Sequence, residues 1–387
     1  MKPFFSGSRI STVESLASAL RINSADLKAM AGSASRLYSD FEILKRDGSP
    51  RFVAGPYQNL KIIQKRINRQ ILERVDYPPY LFGGLAERNY VQNAQVHSGA
   101  RVVIALDVRD FYQSIRKPAV FELFKYFFCF SNEVAEVLTN LCTRGGSVPQ
   151  GACTSSFLAN LIFYKLEHRL VLSLADQGLR YTRLIDDISI SSPQPVSKSR
   201  SEMLIKQVAA MLKVGGFKLK NKKTRVTSDS NPEELMLVTG LWLNRGAPRV
   251  SREERQDIRL EVRKCTLNSR VERISEEFHE LHSRVSGRVA KLAHLKHPES
   301  KRFRGFLRLC MPIYGKADIA RTEALILGMG KTPLSTRATL SYITKYYQAL
   351  HRVNIIGRTQ VNLCERLRKH MWKLRPAKRK DAVIHGY

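Results

Sequence analysis

Asp186 and Asp187 stand side by side in the middle of an alternating stretch, Tyr181-Thr-Arg-Leu-Ile-Asp-Asp-Ile-Ser-Ile-Ser-Ser192. Alternation on both sides predicts a β-hairpin with the two carboxylates at its tip. Adjacent carboxylates between buried strands repel each other, and each raises the other's proton affinity. The fold must therefore bring a cation to them or leave them in solvent as an ordinary turn, which for an isolated Asp-Asp pair is the commoner outcome. A second segment favours the cation. Arg101-Val-Val-Ile-Ala-Leu106 is a short apolar run of strand length, rich in β-branched residues, and it runs into Asp107. Such a strand is buried in a sheet and can set Asp107 beside the hairpin tip. Three carboxylates meeting at one point can hold two Mg²⁺ ions about 3.5–4 Å apart, as nucleotidyl transfer requires. A donor set made only of oxygen suits magnesium.

The charge balance points to the partner. Sixty-five Lys and Arg against 34 Asp and Glu give a formal net charge of +31. An excess of that size repels itself unless a polyanion offsets it, and a nucleic acid does so while releasing its condensed counterions. A basic surface kept for solubility is the weaker reading, because added cations improve solubility little. Cys129, Cys142, Cys153, Cys265, Cys310 and Cys364 are scattered without a CxxC pair, which suits reduced thiols and neither a disulfide framework nor a zinc ribbon. No apolar run approaches the roughly 18 residues needed to span a bilayer, and the first residues lack a signal-peptide core. The expectation is a soluble, cytoplasmic protein with no membrane partner.

Elsewhere the pattern is mixed. Ser11 to Met30 reads as small helices. Phe41 to Val53 reads as a hairpin around Lys45-Arg46-Asp47-Gly48-Ser49-Pro50-Arg51, where Asp-Gly is a turn signal. Leu60 to Val75 reads as a helix with Leu60, Ile63, Ile67 and Ile71 on one face and Lys61, Lys65, Arg66 and Arg69 on the other. Phe121 to Phe130 suggests a packed helix, and Gly145 to Gly151 a loop. A helix capped by Thr154 or Ser155 should run to about Ala175, and Leu235 to Leu243 reads as a strand. Beyond Ser251 the chain is basic and helical, with Arg252, Arg255, Arg259 and Arg263 spaced along one helix. The charge cluster Lys369 to Lys380 is expected to be partly disordered.

These segments carry a family resemblance. Ala105-Leu-Asp107-Val-Arg-Asp110-Phe-Tyr112-Gln-Ser-Ile115 resembles reverse transcriptase motif A. Ser147-Val-Pro149-Gln150-Gly151-Ala-Cys-Thr154-Ser155 through Leu158-Ala159-Asn160 resembles motif B. Leu184-Ile185-Asp186-Asp187 sits in the place of motif C, and Gly216-Phe217 through Asn221-Lys-Lys223-Thr224 is similar to motif D. The four occur in the family's order, over roughly Tyr38 to Arg263. Asn93-Ala94-Gln95-Val96-His97 matches the NAxxH element of retron reverse transcriptases, and Val238-Thr239-Gly240 matches their VTG element. One departure stands out: the family usually has YxDD at motif C, and here Leu184 takes the place of the tyrosine. The two aspartates remain for metal binding, while a polar contact near the primer terminus is lost.

The resemblance implies an α+β right-hand polymerase fold with fingers, an antiparallel palm sheet with helices, and a helical thumb. N-terminal helices and fingers would occupy residues 1–100. The palm would span 101–250, with a fingers segment inserted at about 116–150, and the basic thumb and tail would span 251–387. It implies Asp107, Asp186 and Asp187 as the catalytic ligands of two Mg²⁺ ions. Lys45 (or Arg46) and Arg51 would grip the triphosphate, and Gln150 and Gly151 would contact the incoming nucleotide. Tyr112 would exclude a 2′-hydroxyl sterically or serve as a core aromatic beside Phe111. Lys223 would act near the pyrophosphate or be a solvated lysine, and Asn160 would touch substrate or pack. Asn93 and His97 would bind RNA or shape the fold, and Arg252, Arg255 and Arg259 would follow the RNA duplex. His279, His282, His294 and His297 lack a nearby cysteine or an HExxH motif and read as surface or RNA-facing residues. The implied partners are a cognate noncoding RNA, its DNA product, deoxynucleoside triphosphates and a separate effector protein in anti-phage defence. Two rivals stay open: another bacterial reverse transcriptase without a branched product, and a non-catalytic RNA-binding protein on the same fold.

Overall fold

The structure is a computed structural model that describes every residue except 45–47, 232 and 387. The chain divides into two compact units, Met1–Arg249 and Val250–Tyr387. The fold is mixed α/β, with a central sheet flanked by helices.

In the first unit the sheet has five strands, in the order Leu81–Phe82, Arg180–Leu184, Asp187–Ser192, Val102–Asp107 and Arg225–Ser228. Only the first pairing is parallel. Val102–Asp107 lies between two neighbours with Val102, Val103, Ile104 and Leu106 buried. That two-sided burial is the physical reason its sequence is continuously apolar rather than alternating. The predicted hairpin around the acid pair forms between Arg180–Leu184 and Asp187–Ser192. A separate hairpin pairs Tyr38–Leu44 with Pro50–Pro56, placing Ile43 opposite Arg51. The helix Gln58–Gln70 turns Leu60, Ile63 and Ile67 into the core, with Ile71 as its C-cap. Each such side chain contributes about 1.5–3 kcal/mol by burial.

Several segments differ from the sequence reading, among them the helix read to Val75, which ends at Gln70 and is followed by a short strand at Val75–Asp76. The helix expected from Thr154 to Ala175 is two helices, Ser155–Leu161 and Glu167–Ala175. No glycine or proline marks the break; it turns Phe163 and Glu167 into the core against Arg183. The strand expected over Leu235–Leu243 is a tight hairpin of Leu237–Val238 with Leu241–Trp242. Thr239 and Gly240, at φ 49° and 75°, form its turn. The aromatic segment begins as a helix over Lys117–Glu122 and passes into a wider π-helical turn over Leu123–Phe127.

In the second unit, Arg252–Val271, Glu276–His294 and Glu299–Leu309 share one apolar core, and Lys316–Gly330, Leu340–Ile356 and Val361–Lys373 share another. The tail expected to be partly disordered is tied down: Met371 and Leu374 are buried, and Lys380–His385 forms a last helical turn and a half. The six cysteines are free thiols. Among the described residues no helix is long and apolar enough to cross a membrane.

Candidate active site

Strand register builds the acid cluster. Asp107, the last residue of its strand, pairs directly with Asp187, the first residue of the neighbouring strand. The Val108 N–H donates to the Asp186 carbonyl at 2.9 Å, fastening the hairpin tip to the end of the Asp107 strand. Asp107 is buried, Asp186 half-buried and Asp187 open to solvent on one side. Loss of water on the sheet side, followed by the charges of Asp186 and Asp107, pushes the Asp187 carboxyl up to about 6. Asp186 is also raised, first by burial and then by Asp107, against the lowering effects of a backbone hydrogen bond, Lys223 and Arg51. Both shifts come first from burial of the carboxyls, and the neighbouring carboxylates add to them.

A cation already leans on the cluster. The Lys223 ammonium donates to Asp107 Oδ2, and this hydrogen bond is the main cause of its raised pKa. Lys223 is thus a monovalent stand-in at the carboxylates. Among the described residues no three His, Cys, Asp or Glu side chains are gathered tightly enough to hold a metal ion as they stand. The donor chemistry nevertheless fits magnesium: carboxylate oxygens only, two of them with raised pKa, and a cation drawn to a third. A divalent ion and Lys223 would compete for Asp107 Oδ2.

Beside the carboxylates opens a cleft of about 670 Å³. Arg51, Tyr112, Gln150 and Lys223 line it together with Asp107 and Asp186. Tyr112 packs its ring against Phe111, with centroids 6.2 Å apart, and burial, with Asp186 nearby, pushes its phenol up to about 12. It is both a core neighbour and part of the cleft wall. The Gln150 carbonyl accepts from the Ala54 N–H at 2.8 Å, which pins its loop to the hairpin carrying Arg51. Gly151 makes that approach possible. Its φ is +115°, and a Cβ there would lie 2.5 Å from Val53 Cγ1 and 2.9 Å from the Ala54 carbonyl oxygen. The close approach that glycine permits is therefore to the hairpin. Lys45, with its alternative Arg46, lies outside the described residues.

Two residues expected to bind RNA or shape the fold lie in the interior. Asn93 and His97 are both 0% exposed. His97 bridges two strands from behind, with Nδ1 2.7 Å from Ser191 Oγ and Nε2 2.8 Å from Thr182 Oγ1. Burial, with Arg180 nearby, lowers its pKa to about 4. A polyanion cannot reach either side chain without opening the sheet, so of the two roles left open, shaping the fold is the one their burial permits. Asn160 likewise packs, its Nδ2 donating to the Gly83 carbonyl at 2.9 Å. The VTG turn is tied to the start of the helix that carries the NAxxH element: Thr239 Oγ1 donates to the Tyr90 carbonyl at 3.0 Å, on the first residue of the Tyr90–Val96 helix.

Arg252, Arg255 and Arg259 belong to the second unit. Arg252 is exposed, Arg255 is half-buried 3.5 Å from His297 Nε2, and Arg259 forms a two-pronged pair with Glu299 at 2.9 and 2.8 Å. His279 and His282 are spent on the backbone, each 3.0 Å from the carbonyls of Ile313 and Leu307 respectively. Sequence reasoning missed a buried pair next to the acid turn, Arg183 with Glu167. Its available signal was an arginine in the midst of a strand otherwise destined for the core.

Comparison with known proteins finds relatives over most of the chain. The family described as "Reverse transcriptase (RNA-dependent DNA polymerase)" matches residues 43–263. The Retron Se72 reverse transcriptase of Salmonella heidelberg (strain 579083-10) is 36% identical over 97% of this chain and 99% of its own length. The Retron Ec48 reverse transcriptase of Escherichia coli is 31% identical over 84% of this chain and 82% of its own. The Retron Ec86 reverse transcriptase of the same species is 28% identical over 68% of this chain and 82% of its own.

Proposed function

Since this chain belongs to the reverse transcriptase family, among the retron enzymes, we propose that it copies part of its own structured noncoding RNA into DNA, primed by a 2′-hydroxyl of that RNA. The product would be a branched, RNA-linked single-stranded DNA. The chain is an RNA-directed DNA polymerase of a retron system; the branched product and the two-metal route are our reading. We assign residues 1–100 to N-terminal helices and fingers, 101–250 to the palm with an inserted fingers segment at about 116–150, and 251–387 to the thumb and tail.

The observation that carries the mechanism is the in-register pairing of Asp107 with Asp187, with Asp107 and Asp186 lining one cleft together with Arg51, Tyr112, Gln150 and Lys223. Asp107, Asp186 and Asp187 would hold two Mg²⁺ ions. When bound, such ions lower the pKa of an attacking hydroxyl and offset charge on the triphosphate and leaving pyrophosphate. Arg51 offers a planar fork for phosphate oxygens, and Gln150, pinned through its backbone, faces the same space. Tyr112 closes the wall where a sugar would lie, so an added 2′-hydroxyl is opposed sterically. Lys223, kept protonated by Asp107, would hold a proton beside the leaving pyrophosphate once released. The partners are the cognate RNA and its DNA copy, deoxynucleoside triphosphates and a separate effector protein. The +31 charge supports a nucleic-acid partner, and an anti-phage role rests on kinship with retrons alone.

The test is expression with the flanking upstream DNA, followed by a search for a short RNA-linked DNA species. A branched species that disappears in Asp186→Ala/Asp187→Ala supports the reading. Absence of that species while the upstream RNA is expressed, with extension of a generic primed RNA intact, leaves a polymerase and sinks the branched product.

A further inference from the structure

Arg183 lies three residues before Asp186 and is 0% exposed, with Glu167 at 2%. All five guanidinium N–H groups are used. Nε donates to Glu167 Oε1 at 2.5 Å and Nη2 to Glu167 Oε2 at 2.9 Å. The remaining donors go to main-chain carbonyls: Nη1 to Ala159 and Ile185, Nη2 to Asn160, each at 3.1 Å. Glu167 Oε1 also accepts from the Tyr181 hydroxyl at 2.7 Å. The guanidinium stacks over the Phe163 ring, 5.2 Å from its centroid. A buried pair of this kind adds little stability over an apolar pair of similar volume, so its cost needs another explanation.

The carbonyls it holds supply one. Ile185 is a β-branched residue at φ +59°, a left-handed conformation that such side chains avoid. It precedes Asp186 directly and sets the direction in which the two carboxylates leave the hairpin. Strain of this sort persists only where surrounding structure over-determines it. Here Arg183 Nη1 holds the Ile185 carbonyl from below, and Gly83 makes room beside it, since a Cβ at Gly83 would lie 2.7 Å from Ile185 Cγ1. The other two carbonyls belong to Ser155–Leu161, the helix that follows the Gln150 loop.

We propose that Arg183 and Glu167 are positioning residues that lock the left-handed Ile185 turn to the Ser155–Leu161 helix, fixing the carboxylates of Asp186 and Asp187 relative to the nucleotide cleft. The proposal rests on reading those aspartates as metal ligands. The pair touches neither substrate nor the reacting atoms; it acts through the turn.

The experiment uses the full chain with Arg183→Met/Glu167→Leu, which keeps the volume and removes the charges, and with Arg183→Lys, which keeps the charge and loses the fork. Three readouts are taken: the thermal unfolding midpoint, Mn²⁺ binding to the free protein by electron paramagnetic resonance, and single-nucleotide extension on a primed RNA. The apolar pair should retain a cooperative unfolding transition while Mn²⁺ affinity and kcat each fall roughly 10–100-fold, with the KM for the deoxynucleotide little changed. Arg183→Lys should fall between it and the parent, and decides the matter by the same readouts if the apolar pair does not fold. Parental Mn²⁺ affinity and kcat, or losses that only track the folded fraction, would overturn the proposal. Asp186→Ala/Asp187→Ala separates the two readings: unchanged Mn²⁺ binding there breaks the metal assignment itself.

Discussion

Two charged clusters sit a few residues apart in this protein and answer opposite demands. Around Arg183 every donor has an acceptor, the opposite charge is beside it and water is excluded. Around Asp107, Asp186 and Asp187 negative charge is in excess, two carboxyls are raised, and one lysine leans in from solvent. A satisfied cluster has nothing left to offer a ligand and can only hold structure. The unsatisfied one would be stabilised by an arriving cation, which is the property the proposed metal-binding role draws on. The lesson is that buried charge alone does not mark a site; unbalanced charge in a cleft does.

The comparison can be broken in several ways. The largest effect should come from the unsatisfied cluster. Asp186→Ala/Asp187→Ala should lower extension on primed RNA by three orders of magnitude or more, roughly 4 kcal/mol of transition-state stabilisation, with the unfolding midpoint held or raised. A variant that loses its fold together with its activity would place these carboxylates with the satisfied kind.

Next comes a buried group whose hydrogen-bond partners are neutral. The folded-state pKa of His97 is lowered to about 4, so its contribution is present above the unfolded value near 6.5 and is lost as pH falls through 4. Denaturant unfolding should therefore lose about 3 kcal/mol from this group across that window, at the upper end. His97→Asn should be less stable at pH 7 and should lack that part of the pH slope. An unchanged slope would mean His97 does not stay neutral on folding.

Within the cleft, Arg51→Ala removes a charge-assisted phosphate contact. The KM for deoxynucleotides should rise by roughly 10–100-fold, corresponding to about 1.5–3 kcal/mol, with little change in folding. Steady-state extension at varied nucleotide concentration reads this directly, and an unchanged KM would remove Arg51 from the triphosphate site.

The smallest effect should be Gly151→Ala. The left-handed backbone and the approach to Val53 and Ala54 should cost on the order of 1–3 kcal/mol, seen in the unfolding midpoint. Extension should weaken through displacement of Gln150.

Much of this was readable in the residues. The apolar run ending at Asp107 and the alternation around Asp186 and Asp187 identify strands because side-chain direction in a sheet has a period of two. Leu60, Ile63, Ile67 and Ile71 identify a helix face for the corresponding reason. The break between Leu161 and Glu167 was not readable, since no local breaker marks it and a distant arginine sets it. His97 shows the same limit. A histidine in an NAxxH element leaves RNA binding and shaping the fold both open until the two hydroxyls that satisfy it, 85 and 94 residues away, are placed beside it.

The sequence by itself determined the chemistry available: three acids in strand contexts, a nucleic-acid-sized positive charge and the order of the four motifs. Local periodicity and composition are properties of neighbouring residues and need no fold to be read. Only the tertiary structure decided which charges are spent and which are free. Asp107 meets Asp187 through strand register, Gly151 serves the hairpin, and Arg183 disappears into a buried pair while the acids beside it stay exposed to a ligand. Those outcomes depend on partners far away in the chain, because burial and electrostatic balance belong to the packed assembly of side chains.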